Sequence, residues 1–243
     1  MENQDKLLDA LLENLPGSNE VEVLLPSENR VYKLEDESKP VTVRPLTFED
    51  EKLISTSDSH DPTDLLLRRC VGNINTDELL GMDKLYLLLK IREISYGDDY
   101  DVTLFCKHCR AENPITVQLS QLNVNPVPDD FQEPVQYVLP KLGKKVSLRF
   151  PRSKDIKFAD GDFADNLWRF VESIEVEEGQ EVTNKALIAK VVSQLPIVDI
   201  KTIIKLLRTD FGVDTNVVLQ CKECGETSVH DLPIDANFFD VSL

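Results

Sequence analysis

Two cysteine pairs constrain this chain more than any other feature. They are Cys106-Lys107-His108-Cys109 and Cys221-Lys222-Glu223-Cys224. Each sits between two β-type segments: VTLF-CKHC-RAENP-ITVQL in the first case and NVVLQ-CKEC-GETS-VHDL in the second. A strand, a CxxC, a polar turn and a returning strand make a zinc knuckle, in which the tight turn aims two sulfurs at one metal. Redox CxxC pairs instead sit at helix N-termini, where the dipole stabilises a thiolate, and neither pair reads that way. One knuckle supplies two ligands, whereas a closed structural zinc takes four. Cys106, Cys109, Cys221 and Cys224 are therefore the expected ligands of one structural Zn2+, and two distant parts of the chain must meet there. The fifth cysteine, Cys70 in LLLRRCV, reads as a small buried hydrophobe. An odd count argues against a secreted disulfide framework. His108 reads as a solvent-facing spacer, since four thiolates fill the site, and His60 and His230 as surface residues.

The knuckles belong to a longer internal match. Tyr96–Cys106 aligns without gaps on Phe211–Cys221 at an offset of 115 residues. The match covers an aromatic-Gly pair, an Asp, alternating apolar residues and the first ligand cysteine. The same offset sets Leu85, Leu88, Leu89, Lys90 and Ile91 on Ile200, Ile203, Ile204, Lys205 and Leu206, one helix stripe repeated. Further upstream the offset becomes 105, with Val41-Thr42-Val43-Arg44 on Val146-Ser147-Leu148-Arg149, and Asp50 and Lys52 on Asp155 and Lys157. VLLP at 23–26 resembles YVLP at 137–140.

The expected fold is α+β, built of two similar modules that each run β-hairpin, helices, zinc-knuckle hairpin. They join through a shared, zinc-ribbon-like four-cysteine site. The divisions are an amphipathic N-terminal helix (1–18), a first module (19–122), a Pro-rich linker (123–134) and a second module (135–243). Strands are expected at Val21–Leu25, Val31–Leu34 and Val41–Arg44. Helices are expected at 48–55, 61–71, 76–80 and 84–94, and again at 164–174, 184–195 and 198–209. Gly97 and Gly212 read as helix-ending glycines. Prolines should keep NVNPVPDDFQEP extended.

The formal charge is −17. That opposes general binding to phosphate backbones, which depends on Lys and Arg releasing counterions. It suits partners that are proteins. The opening MENQDKLLDALLENL is acidic and amphipathic, unlike a signal peptide, and no apolar run reaches membrane-span length. Phosphate-loop, dinucleotide, nucleophile-elbow and HExxH motifs are all missing, and three histidines leave little for general-base chemistry. The acidic FADGDFAD at 158–165 lacks the spacing and closing Glu of a calcium loop and reads as a turn plus helix cap. Leu8, Leu11, Leu12 and Leu15 at one end, and Phe238 and Phe239 at the other, are the apolar residues least explained by the repeat. The termini are therefore expected to contact partners more than the module cores do; the rival account is that both simply complete the chain's own core.

The stretches MDKLYLLLKIREISYGDDYDVTLFCKHC (82–109) and VTVRPLTFEDEKLI (41–54), with the total length, resemble the T4-like bacteriophage baseplate hub family. That resemblance implies a non-enzymatic hub subunit or hub assembly protein of a contractile tail. It would work in the cytoplasm of an infected bacterium or in the tail baseplate and bind other hub proteins, with no small-molecule substrate, membrane or nucleic acid. The zinc expectation rests on the four cysteines and not on the family. The competing reading is a zinc-ribbon adaptor in transcription or nucleic-acid processing; basic stripes should accompany it, and this chain is acidic. A catalytic zinc would need an open coordination position, which four thiolates remove.

Overall fold

The computed structural model describes residue 7 and residues 20–56, 62–157, 163–234 and 236–239. The chain is a mixed α+β protein with several small antiparallel sheets. In the first half, strands β1 (Val21–Val23), β2 (Val41–Val43) and β3 (Val71–Gly72) form a three-stranded sheet in that order. Helices α1 (Phe48–Thr56) and α2 (Pro62–Cys70) lie between β2 and β3. The long helix α3 (Gly81–Tyr96) leads into the hairpin β4 (Asp99–Phe105) and β5 (Glu112–Gln118). A short strand β6 (Val124–Asn125) follows.

The second half has β7 (Val135–Val138), β8 (Lys145–Leu148), helix α4 (Ser153–Lys157), β9 (Val171–Glu177) and β10 (Gln180–Val182). Its sheet order is β10-β9-β8-β7. Helices α5 (Lys185–Val192) and α6 (Ile197–Leu206) come next. Strand β11 (Gly212–Val213) precedes the last hairpin, β12 (Asn216–Gln220) and β13 (Thr227–Asp231).

One local device occurs in both halves. Arg44, just after β2, grips Asp50 with two guanidinium hydrogen bonds of 2.8 and 3.2 Å. Arg149, just after β8, grips Asp155 at 2.7 and 2.8 Å. Each arginine also donates to the next residue's carbonyl, Pro45 or Phe150. Each aspartate accepts a backbone N–H from three residues earlier, Thr47 at 2.9 Å and Arg152 at 2.8 Å. An aspartate in this position neutralises the orphan N–H groups of a helix start and ties them to the preceding strand. Burial works to raise both carboxyls, but these donors, with Arg69 on Asp50, hold both below the usual aspartate range.

A second device also occurs twice. Asp83 and Asp199 are fully buried at the third position of α3 and α6. Asp83 accepts from the Ser27 backbone N–H at 3.0 Å, and Asp199 from those of Lys141 and Leu142 at 2.9 and 2.8 Å. Each carboxylate thereby fastens the turn after a Leu-Pro to the start of a long helix.

The apolar residues gather in two clusters. The first combines Val41, Val43, Leu66, Leu67, Leu87 and Ile91. The second combines Val146, Leu148, Leu167, Val171, Ile188 and Ile203. They are not independent. Leu80 from the first half is buried in the second cluster, and Leu232, Phe238 and Phe239 from the end of the chain are buried in the first. A polar seam closes the join: Ser153 N donates to Leu79 O at 2.9 Å, Lys154 pairs with Glu78, and Tyr32 donates to Asp83 while accepting from Leu80 N.

Several expectations need correction. Val31–Leu34 forms no strand, because β2 is already paired on both sides and Tyr32 is held by Asp83 and Leu80. Ala164–Ile174 is not an α-helix: a 3-10 turn at Phe163–Arg169 gives way to β9, where Val171, Ile174 and Val176 favour extended backbone. Gly97 does end α3, its N–H donating to Glu93 O at 2.9 Å. Gly212 does not end α6, which stops at Leu206, but lies in β11 paired with Asn125. There a Cβ would sit 2.7 Å from Met82 Cβ, and φ is +108°. The start of the 123–134 segment is stitched into that ladder, and Phe131 packs on Phe150 and Phe211. Phe238 and Phe239 do not face outward: Phe238 is fully buried, edge-on to Tyr100 and to Phe239. The N-terminal helix lies outside the described residues except for exposed Leu7, as do 158–162 of the acidic stretch.

Two predictions follow from these contacts. Asp50→Ala should lose about 3 kcal/mol in urea unfolding at neutral pH, because it strands Arg44 beside a buried gap. Both aspartates titrate lower folded than unfolded, so their stabilisation is complete above the unfolded value of about 4 and fades as pH falls through the folded value. The gap between wild type and Asp50→Ala should therefore narrow progressively below about pH 4. Phe238→Ala should cost about 3–5 kcal/mol in the same assay, as expected of a core aromatic; a docking residue would cost almost nothing.

Candidate metal centre

The two hairpins bring the cysteine pairs together. In the first, Cys106 N donates to Ala111 O at 2.9 Å and Arg110 N to Cys106 O at 3.0 Å. In the second, Cys221 N donates to Glu226 O and Gly225 N to Cys221 O, both at 2.9 Å. The fourth residue after each leading cysteine is left-handed, Arg110 at φ +67° and Gly225 at φ +76°. Glycine takes that conformation freely, whereas a side chain at Arg110 is held there by the knuckle geometry.

The four Sγ atoms all lie within 4.8 Å of one another. Across the knuckles, Cys106 and Cys224 are 3.7 Å apart and Cys109 and Cys221 are 3.6 Å apart. A tetrahedron with metal–sulfur bonds of about 2.3 Å has sulfur–sulfur edges of about 3.8 Å. These two cross-knuckle distances fit that edge, and they are far beyond a disulfide bond. Cys106 and Cys221 are buried while Cys109 and Cys224 face solvent. Four thiolates suit a soft or borderline divalent ion and leave no ligand position open.

Charge is arranged to match. The Cys221 thiol is pulled down to about 6 by backbone N–H groups, that of Cys224 first. Cys224 is pushed up to about 12 despite the Glu226 N–H, by desolvation and then by the three thiols that crowd it. The cluster as a set therefore gives up its first proton readily and its last one only against opposing charge, which a divalent cation supplies. Lys107 and Lys222, second residues of their knuckles, reach toward the opposite hairpin. Lys107 Nζ donates to Val229 O at 2.5 Å, and Lys222 borders the groove made by Thr103, Pro114 and Thr116.

All four expected ligands are thus brought to one point, from residues more than 110 apart in sequence. His108 stays outside the cluster, exposed, with only its backbone N–H on Cys106 Sγ at 3.4 Å. His230 is half-buried on Ser228 Oγ, His60 lies outside the described residues, and Cys70 is buried as expected. Burial pushes the Cys70 thiol up to about 11. Sequence reasoning missed Asn113. Its signal was parity: on the inward face of β5, shared with Ile115 and Val117, an amide stands where an apolar residue is the rule.

The family described as T4 bacteriophage base plate protein matches residues 25–240. The chain belongs to that family. The match runs from the turn after β1 almost to the end and takes in both cysteine pairs. No curated protein and no solved structure matches the chain. Among the described residues, no helix is long and apolar enough to cross a membrane.

If the chain binds a metal here, stripping it with a strong chelator under reducing conditions should lower the melting temperature, and adding zinc back should restore it. Cys221→Ser should lower the melting temperature of the metal-loaded protein and abolish the chelator's effect, since binding energy confined to the folded state adds to stability. An unchanged melting curve on chelation would count against a structural metal.

Proposed function

We propose that this chain is a non-enzymatic structural or assembly protein of the baseplate hub, acting by protein–protein binding. Cys106, Cys109, Cys221 and Cys224 hold one structural Zn2+. Bound zinc supplies four strong, directional bonds to sulfur and no reactive position. The observation that carries the metal assignment is the gathering of four sulfurs from two hairpins within 4.8 Å of one another. Family membership carries the baseplate assignment, and hub placement rests on the sequence resemblance.

The same reading takes residues 19–122 and 135–243 as two copies of one module. It is supported by the paired Arg–Asp grips, by Asp83 and Asp199 at matching helix positions, and by the two knuckles with matching turns. Neither module closes a metal site alone, so the zinc serves as a clasp between them. A rigid, clasped body of charge −17 suits a particle component that must present fixed surfaces without sticking to nucleic acid.

Affinity purification of the tagged chain from phage-infected cells tests the assignment. Other baseplate hub proteins should co-purify in stoichiometric amounts, and the pure chain should show no salt-dependent DNA binding. Recovery with transcription or nucleic-acid-processing proteins, together with salt-dependent DNA binding, would favour the adaptor reading instead.

A further inference from the structure

Asn113 is completely buried, beside the sulfur cluster but not a ligand. Its amide joins both knuckles. Nδ2 donates to Ala111 O at 2.9 Å within the first knuckle. The same nitrogen lies 3.7 Å from Cys221 Sγ in the second. Oδ1 accepts the Lys222 backbone N–H at 3.0 Å, again in the second knuckle. The amide orientation is fixed by its neighbours: a backbone N–H on one side demands the oxygen, and a carbonyl and a sulfur on the other demand the nitrogen.

The opposite hairpin has no such group. Asn113 pairs across its hairpin with Leu104 and follows Ala111 by two residues; Ser228 pairs with Leu219 and follows Glu226 by two. Ser228 is also buried, yet its hydroxyl bonds within its own strand, to His230 Nε2 at 2.8 Å. The cross-link is therefore one-sided. A buried amide is costly to leave unsatisfied, and this one is satisfied only when both knuckles are in place.

We propose that Asn113 is the positioning residue of the metal centre. It holds the second knuckle against the first through Lys222 N, and its N–H···S contact withdraws charge from the Cys221 thiolate. Both effects favour retention of the metal: the ligands are preorganised, and a hydrogen-bonded thiolate is harder to protonate or displace. This inference rests on the four-cysteine zinc reading given above.

The test replaces zinc by Co2+, which reports on its sulfur ligands by absorption, and measures Zn2+ affinity against a chromophoric chelator. Asn113→Ala should weaken Zn2+ binding by about 10- to 100-fold, the usual cost of removing a group that orients a ligand. It should also move the sulfur-to-cobalt charge-transfer band to lower energy, because a thiolate without its N–H donor gives up charge more easily. Asn113→Asp is the second variant. It keeps an acceptor for Lys222 N but loses both donations of Nδ2, to Ala111 O and to sulfur, and it should show the same band shift. A band and an affinity unchanged from wild type in both variants would overturn the inference and leave the zinc reading standing. If wild type itself takes up neither cobalt nor zinc, both readings fall.

Discussion

The meeting of two hairpins at four sulfurs is the constraint on which the architecture turns. Each leading cysteine is buried and each trailing one exposed, so the sulfur cluster faces solvent on one side. Bringing residues near 106 beside residues near 221 closes a loop that contains the whole second sheet, α5 and α6. Such a closure is entropically costly for a flexible chain and gains from any bond present only in the folded state. Without a cation, four thiols within 4.8 Å of one another resist full ionisation. With one, the same crowding becomes coordination.

The meeting of the hairpins does not act alone. Leu80 passes into the second core while Leu232 and Phe238 pass into the first, so each half completes its interior with residues from the other. The β6–β11 pair, the Ser153–Leu79 hydrogen bond and the close approach of Gly212 to Met82 lie along the same join. Tyr32, Asp83, Arg152 and Glu133 add a buried polar group whose members are mutually satisfied except for Nη1 of Arg152. The meeting of the hairpins and the shared core packing thus tie the same two halves together.

Much of this was legible in the sequence because the relevant patterns are local. CxxC between strands, the leucine stripe of α3 and the Arg-x5-Asp spacing each appear within a dozen residues. What was not legible depends on contacts between distant segments. Phe238 and Phe239 look like exposed anchors in a terminal sequence, and only the position of Tyr100 and the first core makes them interior. The run Phe163–Phe170 has helical spacing, but the neighbouring edge of β8 draws Val171 onward into a strand. Gly212 has the look of a helix stop and instead answers to Met82, 130 positions earlier in the chain. Asn113 carried a faint signal in its strand parity, but its partners belong to the other hairpin and no local pattern names them.

What the four cysteines hold decides whether one metal joins the two hairpins. X-ray absorption at the zinc edge, on protein purified without chelator, reads the ligand set directly. It should give four sulfur scatterers at about 2.3 Å and no nitrogen or oxygen in the first shell. A mixed shell containing oxygen or nitrogen, or fewer than four sulfurs, would contradict the closed clasp and with it the joining of the two hairpins through one metal.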